Sequence, residues 1–162
     1  MMLKKWSKIL GVVAAVACVP TAFAAESIKL NCPAGTKQSN SANGKVADIV
    51  ACVKTDAKGF SPHGPTVYLY PSGAKQAEGQ SEGGFRTGLW TFYDEQGNKT
   101  GSASFKRSSF HGEVVELHAN GKIKKVDQYV DGLRQGTAKE FSAEGKLVKQ
   151  TEYRDNREVV SK

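Results

Sequence analysis

Apolar and polar residues recur with a period of 24 residues from Pro65 to Val160, and four units follow one another without a gap. Glycine holds the ninth place of every unit, and the fifth place is always apolar. The glycines are Gly73, Gly97, Gly121 and Gly145, and the apolar residues are Leu69, Tyr93, Leu117 and Phe141. A fixed period of this length is typical of repeat proteins, in which each unit buries apolar surface against its neighbours.

Each unit has the pattern of a β-hairpin. In the second unit a β-prone run at 89–93 precedes a turn at 94–97, and a return strand follows at 98–106. Glycine at the end of the turn adopts the positive φ of common hairpin loops without a Cβ penalty. We therefore predict an all-β fold, a single-layer antiparallel sheet of tandem β-hairpin repeats over residues 65–160.

The core of such a sheet is expected to be thin, a ladder formed mainly by the fifth and seventeenth places. Because side chains alternate along a strand, the even places of each first strand should lie on the other face. In the first two units these places hold four aromatic residues, which are Tyr68, Tyr70, Trp90 and Phe92. We expect them to form a partner-binding strip, unless the N-terminal segment covers the strip or a bulge turns Trp90 inward.

Residues 1–24 have the pattern of a secretory signal. Three lysines precede an apolar run at 9–19, which is shorter than the roughly 20 residues of a membrane span. The motif at 22–24 is Ala-Phe-Ala, so the mature chain is expected to begin at Ala25 and to be periplasmic or secreted. A lipid anchor at Cys18 is the alternative, although Ala15 stands where a larger aliphatic residue is usual.

Residues 25–64 lack the repeat and are expected to form an N-terminal cap. Removal of residues 1–24 leaves Cys32 and Cys52, which should form a disulfide in an oxidising compartment, free thiols being the alternative. Short β-prone runs at 27–32 and 48–54 flank a predicted loop at 33–45. The bridge would then join the two runs across this loop.

The charge of the expected mature chain is mildly positive. Without the three lysines of residues 1–24, 20 basic and 16 acidic residues remain, a net charge of about +4. Charges of both signs are interleaved and basic runs are short, so nucleic acid is not expected as a partner. Binding to anionic lipid or cell-wall polymer stays open, as does the oligomeric state.

Residue types that carry catalysis are present but poorly placed. His63 and His111 fall two units apart, about 20 Å in a sheet, which is too far for one metal ion. His118 falls in a turn, and Glu116 and Glu140 would lie about 10 Å apart on adjacent units. Ser108 is near His111 in sequence, but no orienting group or oxyanion hole is specified. We expect no metal, no cofactor and no enzymatic activity.

The second unit resembles a known family. Residues 88–97 read Gly-Leu-Trp-Thr-Phe-Tyr-Asp-Glu-Gln-Gly, and Phe105, Phe110 and Gly112 continue the pattern. The chain thereby resembles MORN-type repeat proteins, in particular a bacterial variant with a G-x-W-x-x-Y-x-x-x-G core found in proteins labelled antitoxin components of toxin–antitoxin systems. The resemblance implies hairpin repeats and a binding or scaffolding role, and it brings no catalytic residues.

Taken together, these patterns predict an exported, non-enzymatic binding or scaffold protein of the bacterial envelope that presents a sheet surface to a protein partner. The alternatives are an antitoxin-like or immunity-like protein and a binder of anionic lipid or cell-wall polymer.

Overall fold

The computed structural model describes residues 28–42, 47–57 and 59–160, and all regular secondary structure in these ranges is β-strand. The predicted signal segment 1–24 and its alternative, a lipid-anchored Cys18, lie outside the described residues. The strands are β1 Lys37–Ala42, β2 Ala47–Asp56, β3 Gly59–Leu69, β4 Lys75–Glu82, β5 Phe85–Tyr93, β6 Lys99–Lys106, β7 Ser109–Leu117, β8 Ile123–Val130, β9 Leu133–Arg134, β10 Gly136–Phe141, β11 Leu147–Arg154 and β12 Arg157–Glu158.

The strands form one open antiparallel sheet in hairpin order. The spatial order follows the chain from β1 to β8 and then from β10 to β12, while the two-residue β9 also pairs with β8. This architecture confirms the predicted all-β, single-layer sheet of consecutive hairpins. Within the described ranges, no helix long and apolar enough to cross a membrane occurs.

The hairpin turns inside the four units are equivalent. In each, the N–H of the ninth-place glycine donates to the carbonyl of the sixth place, and the sixth-place N–H donates to the tenth-place carbonyl, at 2.8–3.0 Å. The four glycines have φ between 79° and 93°. Because this left-handed region disfavours a Cβ, the recurrence of glycine at the ninth place follows from turn geometry.

The turns between units join each hairpin to the preceding one. In all four cases the N–H of the twentieth place donates to the twenty-second-place carbonyl one hairpin earlier, at 2.8–3.0 Å. The four donor–acceptor pairs are Gly84–Pro62, Ser108–Arg86, Gly132–Phe110 and Asn156–Arg134. These bonds hold the units in register from the cap to the last hairpin.

The buried face differs from the predicted ladder. Trp90 in the second place pairs directly with Ala103 in the fifteenth, so even places on the first strand share a face with odd places on the return strand. The seventeenth-place Phe105 therefore packs with Trp90, whereas the fifth-place Tyr93 lies on the opposite face, where its hydroxyl donates to Glu78. The expected core of fifth-place and seventeenth-place residues is wrong. The register pairs even places of the first strand with odd places of the return strand, so the fifth and seventeenth places lie on opposite faces of the sheet.

The N-terminal segment extends the sheet. The predicted disulfide between Cys32 and Cys52 is present. However, β1 at 37–42 lies inside the stretch expected to be a loop, while residues 28–32 form no strand. The polar β1 is held by its ladder with β2 and needs little apolar burial. Since β3 crosses position 65 without a break, the predicted cap and the first repeat share a strand.

Removal of the disulfide should destabilise the N-terminal end of the sheet. The bridge closes a sequence separation of 20 residues, which corresponds to roughly 3 kcal/mol in the chain-entropy model. The Cys32→Ser variant should therefore unfold at a lower urea concentration than the oxidised wild type. The control is the wild type under reducing conditions, which should match the variant. Identical midpoints for the oxidised wild type and the variant would contradict this contribution.

Candidate functional site

A row of aromatic rings runs across the buried face of the sheet. The row consists of Tyr68, Trp90, Phe105, Phe110 and Tyr129, with successive ring centroids 5.6, 6.4, 5.0 and 5.2 Å apart. Phe105 and Phe110 are directly opposite each other on β6 and β7, in the seventeenth and twenty-second places. The same two places face each other as Tyr129 and Arg134 one unit later. The row therefore crosses from unit to unit and joins them.

Trp90 is the second ring of this row and is fully buried. Its indole Nε1 donates to the carbonyl of Gln80 at 3.0 Å, and its exposed fraction is 0%. Gly79 provides the space, since a Cβ there would lie 2.5 Å from the ring. The expectation that Trp90 lies on an open face is therefore wrong: its place pairs with Ala103 on the core face and its ring covers Gly79.

The other three residues of the predicted strip are half-buried. Tyr68 and Phe92 pack against the cluster around Trp90. Tyr70 donates its hydroxyl hydrogen bond to the carbonyl of Tyr93 at 2.8 Å. The structure thus brings the four predicted residues together in the N-terminal half of the sheet, and partner binding through the three accessible ones stays a prediction.

Arg86 lies over the N-terminal part of the row. Its guanidinium carbon is 4.8 Å from the centroid of Tyr68, 4.9 Å from Trp90 and 5.6 Å from Phe105. Attraction between the cation and the ring faces holds the side chain there. Among the residues that the structure describes, no carboxylate lies within 4.0 Å of this guanidinium. Its close charged or aromatic neighbours in the described residues are thus rings and not acids.

Arg134 has the same place two units later but different partners. Its guanidinium lies 4.6 Å from the Tyr153 ring centroid, and its Nε is 3.2 Å from Oδ1 of Asp127. These two atoms are not aligned for a hydrogen bond, so their contact is that of an ion pair. Hydrogen bonding to Tyr129 and the charge of Asp127 raise the pKa of Arg134 above its usual range. Lys125 also contacts the buried carboxylate, at 3.2 Å.

The fifteenth place accounts for the difference between the two arginines. It holds Gly79 in the first unit, where Trp90 needs the space, and Asp127 in the third unit. Sequence reasoning missed both arginines, although their equal position two units apart was a visible signal. Only the fold shows that the side chains of the twenty-second place lie over the aromatic row and that Arg134, unlike Arg86, forms an ion pair with Asp127.

A groove opens beside Arg86 at the end of the sheet where the predicted strip lies. It has a volume of about 340 Å³, and its lining consists of Tyr70, Gln76, Ala77, Arg86, Phe92, Tyr93 and Thr100. This lining includes three aromatic residues, one basic residue and no acidic residue. A second groove, of about 420 Å³, is lined by Phe85 and by both acidic and basic residues, which are Glu82, Lys106 and Arg107.

A hydrogen-bonded pair borders the first groove. Tyr93 donates to the carboxylate of Glu78, and Lys75 binds the same carboxylate at 2.7 Å. The hydrogen bond to Glu78, with some desolvation, raises the pKa of Tyr93 to about 12. Burial raises the pKa of Glu78, but the bonds from Lys75 and Tyr93 outweigh it and the net pKa is lowered.

The residue types considered for catalysis are spread over the sheet. Nδ1 of His111 lies 3.1 Å from Asp131, and Nε2 of His118 lies 2.9 Å from the carbonyl of Phe141. Glu116 and Glu140 each pair across strands with Lys125. In the described part of the chain, no three His, Cys, Asp or Glu side chains are grouped to hold a metal ion.

Comparison with known proteins identifies two of the repeats. The sequence model of the MORN repeat variant family matches residues 110–131 and 134–155. These two segments are MORN-type repeats, and they cover the third and fourth hairpins almost entirely. Among curated proteins there is no significant match. The antitoxin label stays an expectation from the resemblance of the second unit.

A solved structure with partial similarity is that of an S. aureus TarM mutant in complex with Fondaparinux, alpha-GlcNAc-glycerol and UDP. The sequence identity is 11% and the TM-score is 0.35, with 77% of this chain and 21% of that chain covered. The chain thus spans about a fifth of that protein, and similarity at this level carries no functional argument.

The two arginines should differ in their contribution to stability. Arg134→Met leaves a buried carboxylate, with a side chain 6% exposed, beside Lys125 alone, and should cost about 3 kcal/mol of unfolding free energy. Arg86→Met removes contacts to rings only and should cost about 1 kcal/mol. Urea unfolding of both variants measures the difference. Asp127→Asn in the Arg134→Met background should recover stability, and equal losses in the two single variants would refute the assignment.

The stability of the sheet should fall at high pH through Tyr93. Its pKa of about 12 in the folded chain exceeds the value of about 10 in an unfolded chain. The contribution is therefore fully present below about pH 10 and disappears as the pH rises to about 12. Tyrosinate absorbance in Glu78→Gln should show one tyrosine that titrates at lower pH than in the wild type. The exposed Glu82→Gln variant is the control, and an unchanged titration of Glu78→Gln would exclude the pair.

Proposed function

We propose that this chain is an exported, non-enzymatic binding or scaffold protein of the bacterial envelope that presents one end of its repeat sheet to a protein partner. The observation that carries the proposal is a one-layer sheet of hairpins in which the half-buried Tyr68, Tyr70 and Phe92 lie around the buried Trp90. MORN repeats, which match the third and fourth hairpins, are generally binding or scaffold modules.

Export is supported by two observations of different kinds. The Cys32–Cys52 disulfide is compatible with an oxidising compartment. The lysines and the apolar run of residues 1–24, followed by Ala-Phe-Ala, have the pattern of a secretory signal. Together they favour a periplasmic or secreted protein over a cytoplasmic one.

A protein partner is favoured by the kind of residues at this end of the sheet. Tyr70 and Phe92 are half-buried and lie beside a groove, with Arg86 next to them. Tyrosine, other aromatic residues and arginine are enriched where protein interfaces are buried most completely. The packed rings around Trp90 hold these side chains in place before binding, which reduces the entropy lost on association.

A photo-reactive side chain at the proposed surface should capture the partner. We expect benzoylphenylalanine in place of Tyr70 to give a discrete crosslinked adduct with an envelope protein in intact cells, because Tyr70 borders the groove. The matched control is the same substitution at His118, which has the sixth place two units later. The adduct is identified by mass spectrometry, and its chain should come from the periplasmic fraction.

Equal adducts at positions 70 and 118 would mean that the aromatic end has no special role. Recovery of the chain from the cytoplasm with Cys32 reduced would refute the proposed location.

A further inference from the structure

The groove beside Arg86 is lined by hydrogen-bond donors and by no acidic residue. Its polar side chains include the guanidinium of Arg86, the amide of Gln76 and the hydroxyl of Thr100. Within the described ranges, none of these three side chains forms a hydrogen bond to another protein group. A guanidinium carries five donors in a planar fork that matches a carboxylate. The groove therefore has the donors for an external acceptor.

The partner of Arg134 is an example of such an acceptor within the chain. There the equivalent arginine, again held over aromatic rings, lies 3.2 Å from a carboxylate of the chain itself. At Arg86 the position of that carboxylate is taken by Gly79, beneath the ring of Trp90. The first unit thus has the arginine of the third unit without its carboxylate.

We propose that the groove at Arg86 binds a carboxylate of the partner protein, with an adjacent apolar group against the ring of Phe92. The proposal rests on the proposed function, because it takes the ligand to be part of a protein. A partner protein can supply this carboxylate in two ways, from an Asp or Glu side chain or from its C-terminus. The net charge of about +4 of the expected mature chain, with 20 basic and 16 acidic residues, favours an acidic partner.

The contacts of Arg86 favour recognition of this group. Its guanidinium lies within 5.6 Å of three ring centroids, which restrains the side chain before any ligand arrives. An arginine that is already restrained loses less rotamer entropy when it binds a carboxylate. Because Arg86 is half-buried, water screens an ion pair there less strongly than at a fully exposed site, so the pair is stronger than a surface ion pair.

Three synthetic peptides test the carboxylate directly by NMR titration of the oxidised, mature chain. The first is acetyl-Ala-Phe-Glu-Ala-amide, the second replaces Glu by Gln, and the third is acetyl-Ala-Ala-Phe with a free C-terminus. We expect the carboxylate peptides to shift the backbone signals of Ala77 and Thr100 and to bind at least about tenfold more tightly than the Gln peptide. Whichever carboxylate peptide binds more tightly identifies the source.

Two variants and one control complete the experiment. Arg86→Gln should lower the affinity for a carboxylate peptide to that of the Gln peptide, and Thr100→Glu should also weaken it by placing a carboxylate at the groove. Arg157→Gln removes the same charge far from the groove and should bind as the wild type does. Near-ultraviolet circular dichroism checks that the aromatic row is intact in each variant.

Equal binding of the Glu and Gln peptides, or unchanged binding by Arg86→Gln, would overturn the proposal. Loss of peptide binding in Arg157→Gln as well would show general charge attraction and overturn it too. Crosslinking at position 70 that survives in Arg86→Gln would leave the proposed function standing while the carboxylate site is refuted. Conversely, peptide binding without any crosslinked protein would refute the proposed function and not the site.

Discussion

A single sheet has no second layer to bury its apolar face, and this constraint governs the whole chain. Most domains solve it by packing two layers against each other. Here the sheet covers its face with its own long side chains, which lie along neighbouring strands. The rings from Tyr68 to Tyr129 and the arginines at positions 86 and 134 form this cover. Some of these contacts join adjacent units, such as Tyr68 with Trp90 and Phe110 with Tyr129, so the units are stable together rather than singly.

The same cover explains why the two ends of the sheet differ. At the N-terminal end the indole of Trp90 fills the space over Gly79, and the cation above it has no acidic partner among the described residues. In the third unit Asp127 stands in the place of Gly79, and its carboxylate forms an ion pair with Arg134. The first arrangement combines apolar packing with a cation that has no acidic neighbour, whereas the arrangement in the third unit contains a buried ion pair. The structural difference between the two ends thus arises from the second and fifteenth places of the repeat.

Much of the fold could be read from the residues, because its determinants are local. The ninth-place glycine is required by the turn, and the period of 24 residues places one such turn in each hairpin. The pairing of Cys32 with Cys52 followed from the export pattern. The edge strand β1 could not be predicted from the sequence. Its Ser and Asn residues show no alternation of apolar and polar positions, and it is stabilised by its hydrogen-bonded ladder with β2.

The sequence by itself determined the repeat, the turns and the cluster of aromatic residues in the first two units. Only the tertiary structure decided which of those residues are buried. The reason is the register: Trp90 pairs with Ala103, so an even place of one strand shares a face with an odd place of the next. The sequence shows which residues of one strand share a face. Which residues of the next strand lie on that same face depends on the pairing register, which the turns and bulges set. The position of the arginines over the rings also depends on the register, because the twenty-second place lies opposite the seventeenth place only in the folded sheet.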